Sequence, residues 1–166
     1  MNQNKTRIIT IDGPAGAGKT TVSKALSHTL GCIYVDTGAL YRGVAYEVAR
    51  CTVDVENSTE LEILLQSLVL ELKMDTDGLH LHSSGQEITQ YIRTPEITML
   101  ASSVSAIPAV REKLLGIQSK IAQKSDAVFE GRDMGTVVFP NADHKFFLVA
   151  DLETRALRRL SGVYRR

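Results

Sequence analysis

The chain has 166 residues, 43% of them hydrophobic, and no net formal charge at pH 7. These numbers fit one globular domain with a real core, with room for a small inserted subdomain, and signal no long-range attraction to nucleic acid or a membrane surface. No apolar run approaches the ~18 residues of a membrane span, the polar start at 1–7 has no signal-peptide core, and Cys32 and Cys51 lack metal-ligand spacing and read as buried, reduced thiols of a cytoplasmic protein.

Ile8-Ile9-Thr10-Ile11 is a β-branched run that reads as a strand. It leads into Gly13-Pro14-Ala15-Gly16-Ala17-Gly18-Lys19-Thr20, followed by Thr21. This is G-x-x-x-x-G-K-[ST], the phosphate-binding P-loop. Glycines let backbone N–H groups converge on an anion, Lys19 supplies a point charge, and Thr20 offers a hydroxyl to Mg²⁺. The following helix adds its positive N-terminus. A chance match in a Gly-rich turn is the alternative; the strand before and the helix after weigh against it. The motif points to a bound nucleoside triphosphate and does not say what is done with it.

Val22, Ala25, Leu26, Thr29 and Leu30 recur at helical spacing, and Gly31 is placed to end that helix. Cys32–Val35 reads as a second strand. Strand, loop, helix, strand opens an α/β fold with a parallel sheet. Asp36 closes the second strand, Thr37 can cap a helix, and Leu40, Val44 and Val48 form one apolar face. Ligands bind at the C-terminal ends of strands in such sheets, which places Thr37 and Arg42 near the loop's phosphates. Arg42 alone reads either as a phosphate fork or as a solvent-facing side chain.

Over 57–92 the pattern changes to alternation. Leu68, Leu70 and Leu72 alternate, Asp75-Thr76-Asp77-Gly78 makes a turn, and Leu79-His80-Leu81-His82 alternates again before Ser84-Gly85. This predicts a small antiparallel meander inserted into the α/β pattern. His80 and His82 share a strand face and read as exposed residues, since a metal site needs more ligands. Asp75–Gly78 also matches D-x-x-G of GTPases, but it lies in a hairpin turn and no N-K-x-D follows.

Thr94-Pro95-Glu96 starts a helix with Ile97, Leu100, Ala101 and Val104 inward, and Pro108 starts another with Val110, Leu114, Ile117 and Ile121 inward. Ser102 lies late in the first and Arg111 early in the second, so both can face one cleft across the joint. Asp126–Glu130 reads as a third strand, ending in Gly131-Arg132-Asp133-Met134-Gly135, a ligand-facing position unless Arg132 and Asp133 only pair with each other. Lys145–Val149 reads as a fourth parallel strand. Asp151–Arg159 begins a helix whose Arg155, Arg158 and Arg159 form either a solvated face or a phosphate contact.

Assembled, the chain resembles the bacterial cytidylate kinases, of the nucleoside monophosphate kinase group. The motifs that carry the resemblance are ITIDGPAGAGKTT, VDTGALYRGVA, IRTPEI, SSVSAIPAVREKLL and FEGRDMGTVVFP, and it runs from about Arg7 to Arg159. It implies a P-loop NTPase fold with flanking helices, and phosphoryl transfer from ATP, with Mg²⁺, to CMP or dCMP. Gly13, Pro14, Ala15, Gly16, Ala17, Gly18, Lys19, Thr20 and Thr21 would hold ATP phosphates, joined by Arg158 from the lid. Arg42 and Arg132 would grip the CMP phosphate. Ser102, Arg111 and Asp133 would read the cytosine edge, and Thr37 stands where the family usually has Ser. A non-catalytic nucleotide-binding relative and a P-loop kinase with a hydroxyl acceptor are the alternatives.

The family's pattern continues well beyond Arg166. Four of its five core strands are therefore expected, with the lid beginning at about 151–166, incomplete, and turnover weak. Lys145–Val149 is then an apolar sheet edge, a pairing liability. The chain is expected to self-associate through it, seen in light scattering as a mass that rises with concentration. A single monomeric species at high concentration, with normal stability, would count against this.

Overall fold

The computed structural model describes residues 5–75 and 78–163. Residues 76 and 77 of the expected hairpin turn lie outside that range. The chain divides into two compact units, one formed by 1–36 with 121–166 and one by 37–120.

The first unit is built on β1 (Ile8–Asp12), β2 (Ile33–Asp36), β6 (Ala127–Glu130) and β7 (His144–Phe147). All pairings are parallel, in the order β2-β6-β1-β7. This is the expected four-stranded parallel sheet, with β7 shorter than the 145–149 run. The β-branched residues of β1 are buried because helices cover the sheet. α1 (Lys19–Leu30) is one of them and is closed by Gly31 in a left-handed conformation.

α1 turns only part of the expected stripe inward. Ser23 and Ser27 are buried and Leu26 and Leu30 half-buried, while Val22, Ala25 and Thr29 are exposed. Leu26 and Leu30 pack with Ile9, Ile11 and Val128. Small side chains allow close helix–sheet approach, and the Ser27 hydroxyl satisfies itself by donating to the Lys24 carbonyl at 2.9 Å. Among the described residues β7 is one edge of the sheet and β2 the other, and β7 exposes Phe146 and Phe147.

The second unit contains α2 (Thr37–Arg50), α3 (Ser58–Ser67), the antiparallel sheet β3 (Leu70–Asp75), β4 (Gly78–Ser83) and β5 (Gln86–Glu87), then α4 (Pro95–Val104) and most of α5 (Pro108–Lys124). Its core joins Leu40, Val44 and Val48 of α2 to Leu81, Ile88, Ile97, Val104, Val110 and Leu114. The apolar stripes of α2 and α4 lie where the spacing put them; in α5 Val110 and Leu114 are buried as expected, but Ile117 and Ile121 are half-buried and Gln118 and Ala122 take the buried positions. Thr94 caps α4, its hydroxyl accepting from Ile97 N at 3.2 Å. Thr37 is itself the first residue of α2, so the helix begins directly from β2.

Three readings need correction. The 57–92 stretch contains a helix, α3, before the meander. Asn57 Oδ1 accepts from Glu60 N at 3.3 Å and its side-chain amide donates to Glu60 Oε1 at 2.8 Å, an N-cap at the helix start. His80 and His82 are half-buried rather than exposed, and His80 Nδ1 lies 2.8 Å from Glu87 Oε1 on the neighbouring strand. Cys51 is exposed in the turn after α2, outside the apolar cluster; Cys32 is half-buried, and both thiols are free.

Two carboxylates just ahead of the flanking strands set the register of β1. Asp126 accepts from Arg7 N at 2.8 Å, and Asp143 accepts from Ile8 N at 2.8 Å and from Lys5 Nζ at 3.0 Å. The Ile8 amide first, and then Lys5, hold the Asp143 carboxyl below its ordinary pKa. A depressed carboxylate contributes stability that is present above the unfolded value of about 3.9 and lost as pH falls through the folded one. Asp143→Asn is therefore expected to lower the melting temperature by ~2–4 °C at pH 7. The gap to the parent chain should close as the pH falls below the unfolded value and through the lower folded one. Thermal denaturation across pH checks this, and a gap that persists at low pH would rule it out.

Candidate functional site

The turn from β1 into α1 is what the glycines make possible. Gly13 has φ +145°, and a Cβ there would collide with the Leu148 carbonyl oxygen. Gly16 has φ +79°, and a Cβ there would lie 2.9 Å from the Arg155 carbonyl oxygen. A side chain at either position would push neighbouring backbone away from the loop.

Residues 16–22, Glu130 and Arg158 line one cavity of about 600 Å³. α6 (Leu152–Val163) lies against the loop: Arg155 Nε donates to the Ala15 carbonyl at 3.1 Å and Arg158 Nη1 to the Gly16 carbonyl at 3.0 Å. Asp151 starts that helix by accepting from the Thr154 amide and hydroxyl, both at 2.7 Å. The sequence reading singled out Arg158 and left Arg155 among the helix's basic residues; both touch the P-loop.

Lys19 is 8% exposed, and its ammonium donates to the Pro14 carbonyl at 3.1 Å. Burial first, and the positive charge of Arg132 second, lower its pKa from the ordinary lysine value; Glu130, Asp12 and Asp36 act in the opposite direction. The P-loop lysine and the arginine of the loop after β6 are thus electrostatic neighbours. Their repulsion is relieved by any anion that sits between them.

The loop after β6 is held by Asp12. This carboxylate is 5% exposed and accepts from the amides of Met134 and Gly135 at 2.9 and 2.8 Å. Those amides open a short π-helix, Met134–Val138, directly after Arg132 and Asp133. Asp12 therefore positions the two candidate ligand residues, a role that sequence spacing did not reveal.

Glu130 was also missed. At the last position of β6 it is 8% exposed and accepts from the Thr20 hydroxyl at 2.9 Å and from the Tyr34 hydroxyl at 2.5 Å. Burial, then the charge of Asp36 and the bond to Glu130, push the Tyr34 phenol far above its ordinary pKa and keep it a donor.

In the other unit, Thr37 is buried at the start of α2 and Arg42 half-buried one turn on. Ser102 is exposed near the end of α4, its hydroxyl donating to the Thr98 carbonyl at 3.4 Å. Arg111 is half-buried in the first turn of α5. The P-loop residues, Arg158, Arg132 and Asp133 thus belong to one unit, and Thr37, Arg42, Ser102 and Arg111 to the other. Among the described residues no cluster of His, Cys, Asp and Glu forms a metal site, and no helix is long and apolar enough to cross a membrane.

The desolvated Lys19 carries a stability prediction. Lys19→Met removes a buried charge beside a second cation, so it is expected to leave the melting temperature of the nucleotide-free protein unchanged or raise it. Thermal denaturation in phosphate-free buffer checks this. A fall of more than ~4 °C, equivalent to about 1 kcal/mol or more, would mean that the bond to Pro14 outweighs the desolvation.

The family model for cytidylate kinase matches residues 9–165. A cytidylate kinase of Ligilactobacillus salivarius (strain UCC118) is 48% identical over 151 residues, which is 91% of this chain and 67% of that protein. One from Solibacter usitatus (strain Ellin6076) is 45% identical over 161 residues, 97% of this chain and 68% of that protein. A bifunctional pantoate ligase/cytidylate kinase of Prochlorococcus marinus is 46% identical over 153 residues, 92% of this chain and 30% of that protein. The chain spans about two thirds of the cytidylate kinases it matches and under a third of the bifunctional protein. The match runs from β1 through α6, across every element that builds the P-loop and its surroundings, and by it this chain belongs to the cytidylate kinase family.

Proposed function

We propose that this chain transfers the γ-phosphoryl group of ATP to CMP or dCMP, giving ADP and the cytidine diphosphate. The observation that carries the reading is the P-loop cavity, whose lining carries the two cations Lys19 and Arg158 and suits a polyanion. Family membership supports the choice of cytidine nucleotides.

The donor set fits a triphosphate with Mg²⁺. Gly16 and Gly18 adopt positive φ, as a backbone cradle for phosphate needs. The Thr20 hydroxyl commits its proton to Glu130 and keeps its lone pairs for a cation. When bound, Mg²⁺ neutralises developing charge on the phosphate oxygens.

The residues do the rest. Gly13 to Thr21 bind the ATP phosphates, with Lys19 on the transferring group. Arg155 and Arg158 hold α6 on the loop's carbonyls and leave Arg158 in the cavity wall. Arg42 and Arg132 grip the CMP phosphate and orient it in line; it is already ionised near neutral pH, so no strong base is needed. Ser102, Arg111 and Asp133 read the cytosine edge, and Thr37 adds a hydroxyl near the acceptor. The free thiols fit a reducing cytoplasm, and self-association through the exposed β7 edge belongs to the same reading.

A coupled ADP-release assay with CMP, dCMP, UMP and a hydroxyl acceptor tests this. CMP and dCMP are expected to be the preferred acceptors. Preference for the hydroxyl acceptor overturns the reading, and so does calorimetric nucleotide binding without any transfer. Arg42→Met and Arg132→Met are each expected to lower kcat/KM for CMP by about 10- to 100-fold, the equivalent of one charge-assisted contact, with ATP affinity changed far less by Arg42→Met.

A further inference from the structure

Three side chains from three elements meet at the wall of the P-loop cavity. Tyr34 comes from β2, Glu130 from the end of β6 and Thr20 from the first turn of α1. The Tyr34 hydroxyl donates to Glu130 Oε2 at 2.5 Å and the Thr20 hydroxyl to Glu130 Oε1 at 2.9 Å. Each carboxylate oxygen therefore takes one hydroxyl proton.

The terminal torsion of a glutamate is soft and roughly two-fold, and a hydrogen bond on each oxygen restrains it. Tyr34 is a stiff anchor: it is 7% exposed, pairs in register with Val128 of β6, and carries the Lys24 ammonium 5.7 Å from its ring centroid. With the plane restrained, the Thr20 proton stays on Glu130 and the Thr20 lone pairs are what remains for another partner.

We propose that Tyr34 is a positioning residue: its hydroxyl orients Glu130 so that Thr20 presents an acceptor lone pair to the divalent cation that accompanies ATP. This rests on the reading of the P-loop as an Mg²⁺·ATP site. It assigns Tyr34 no contact with nucleotide or metal; its effect reaches Thr20 through Glu130 and through the Tyr34 phenol's own interaction with the Thr20 hydroxyl.

The test is calorimetric ATP binding, with no acceptor present, to the parent chain and to Tyr34→Phe, in EDTA and in Mg²⁺. Tyr34→Phe keeps the ring and its packing. It is expected to bind ATP in EDTA like the parent and to lose about 3- to 10-fold of the affinity that Mg²⁺ adds, the range of one hydrogen bond of ordinary net strength, since the effect on the cation is indirect. Glu130→Gln should lose at least as much, and Tyr34→Phe should cost less in that background than it does alone. An unchanged Mg²⁺ increment in Tyr34→Phe overturns the proposal. So does an equal loss with and without Mg²⁺, or additivity with Glu130→Gln. A parent chain that binds no ATP instead overturns the nucleotide reading itself.

Discussion

A buried carboxylate with nowhere else to turn organises the site. Asp12 ends the central strand β1 and accepts two backbone amides from the loop after β6. An ionised group at that depth is costly unless it is hydrogen-bonded, and charge-assisted bonds to backbone N–H groups are roughly twice as strong as neutral ones. The loop is held because the carboxylate needs it. Asp12 is followed at once by Gly13, and the amides it binds follow Arg132 and Asp133. One side chain therefore links the P-loop's entry to the loop that carries a second cation.

At the other end of the same strand the same chemistry recurs. Asp126 and Asp143 each capture a backbone amide at the start of β1, from the strands on either side. Parallel pairing brings the C-terminal ends of β1, β2 and β6 to one edge, where ligands bind in α/β sheets. Asp36, Glu130 and Asp12 all end strands there. Their negative charges partly offset the crowding of Lys19 and Arg132.

Much of the fold was legible because it is local. The P-loop shows in residue types over eight positions, the α2 and α4 stripes in helical spacing, and the meander in alternation. The misreadings have local causes as well. α1 turns serines inward because close approach to the sheet favours small side chains over apolar ones. α3 is short and was hidden by the alternating leucines that follow it. His80 was read without Glu87, its partner across a strand pair.

The sequence by itself determined the phosphate-binding loop, the parallel α/β class and the family, since each is written in contiguous residues or in spacing along one element. The tertiary structure alone decided which side chains support that loop. Glu130 meets Thr20 across 110 positions and Tyr34 across 96, and Asp12 reaches Met134 across 122. Periodicity carries no information over such distances. They are closed by strand pairing and by the demand that buried polar groups find partners, and only the folded sheet satisfies both at once.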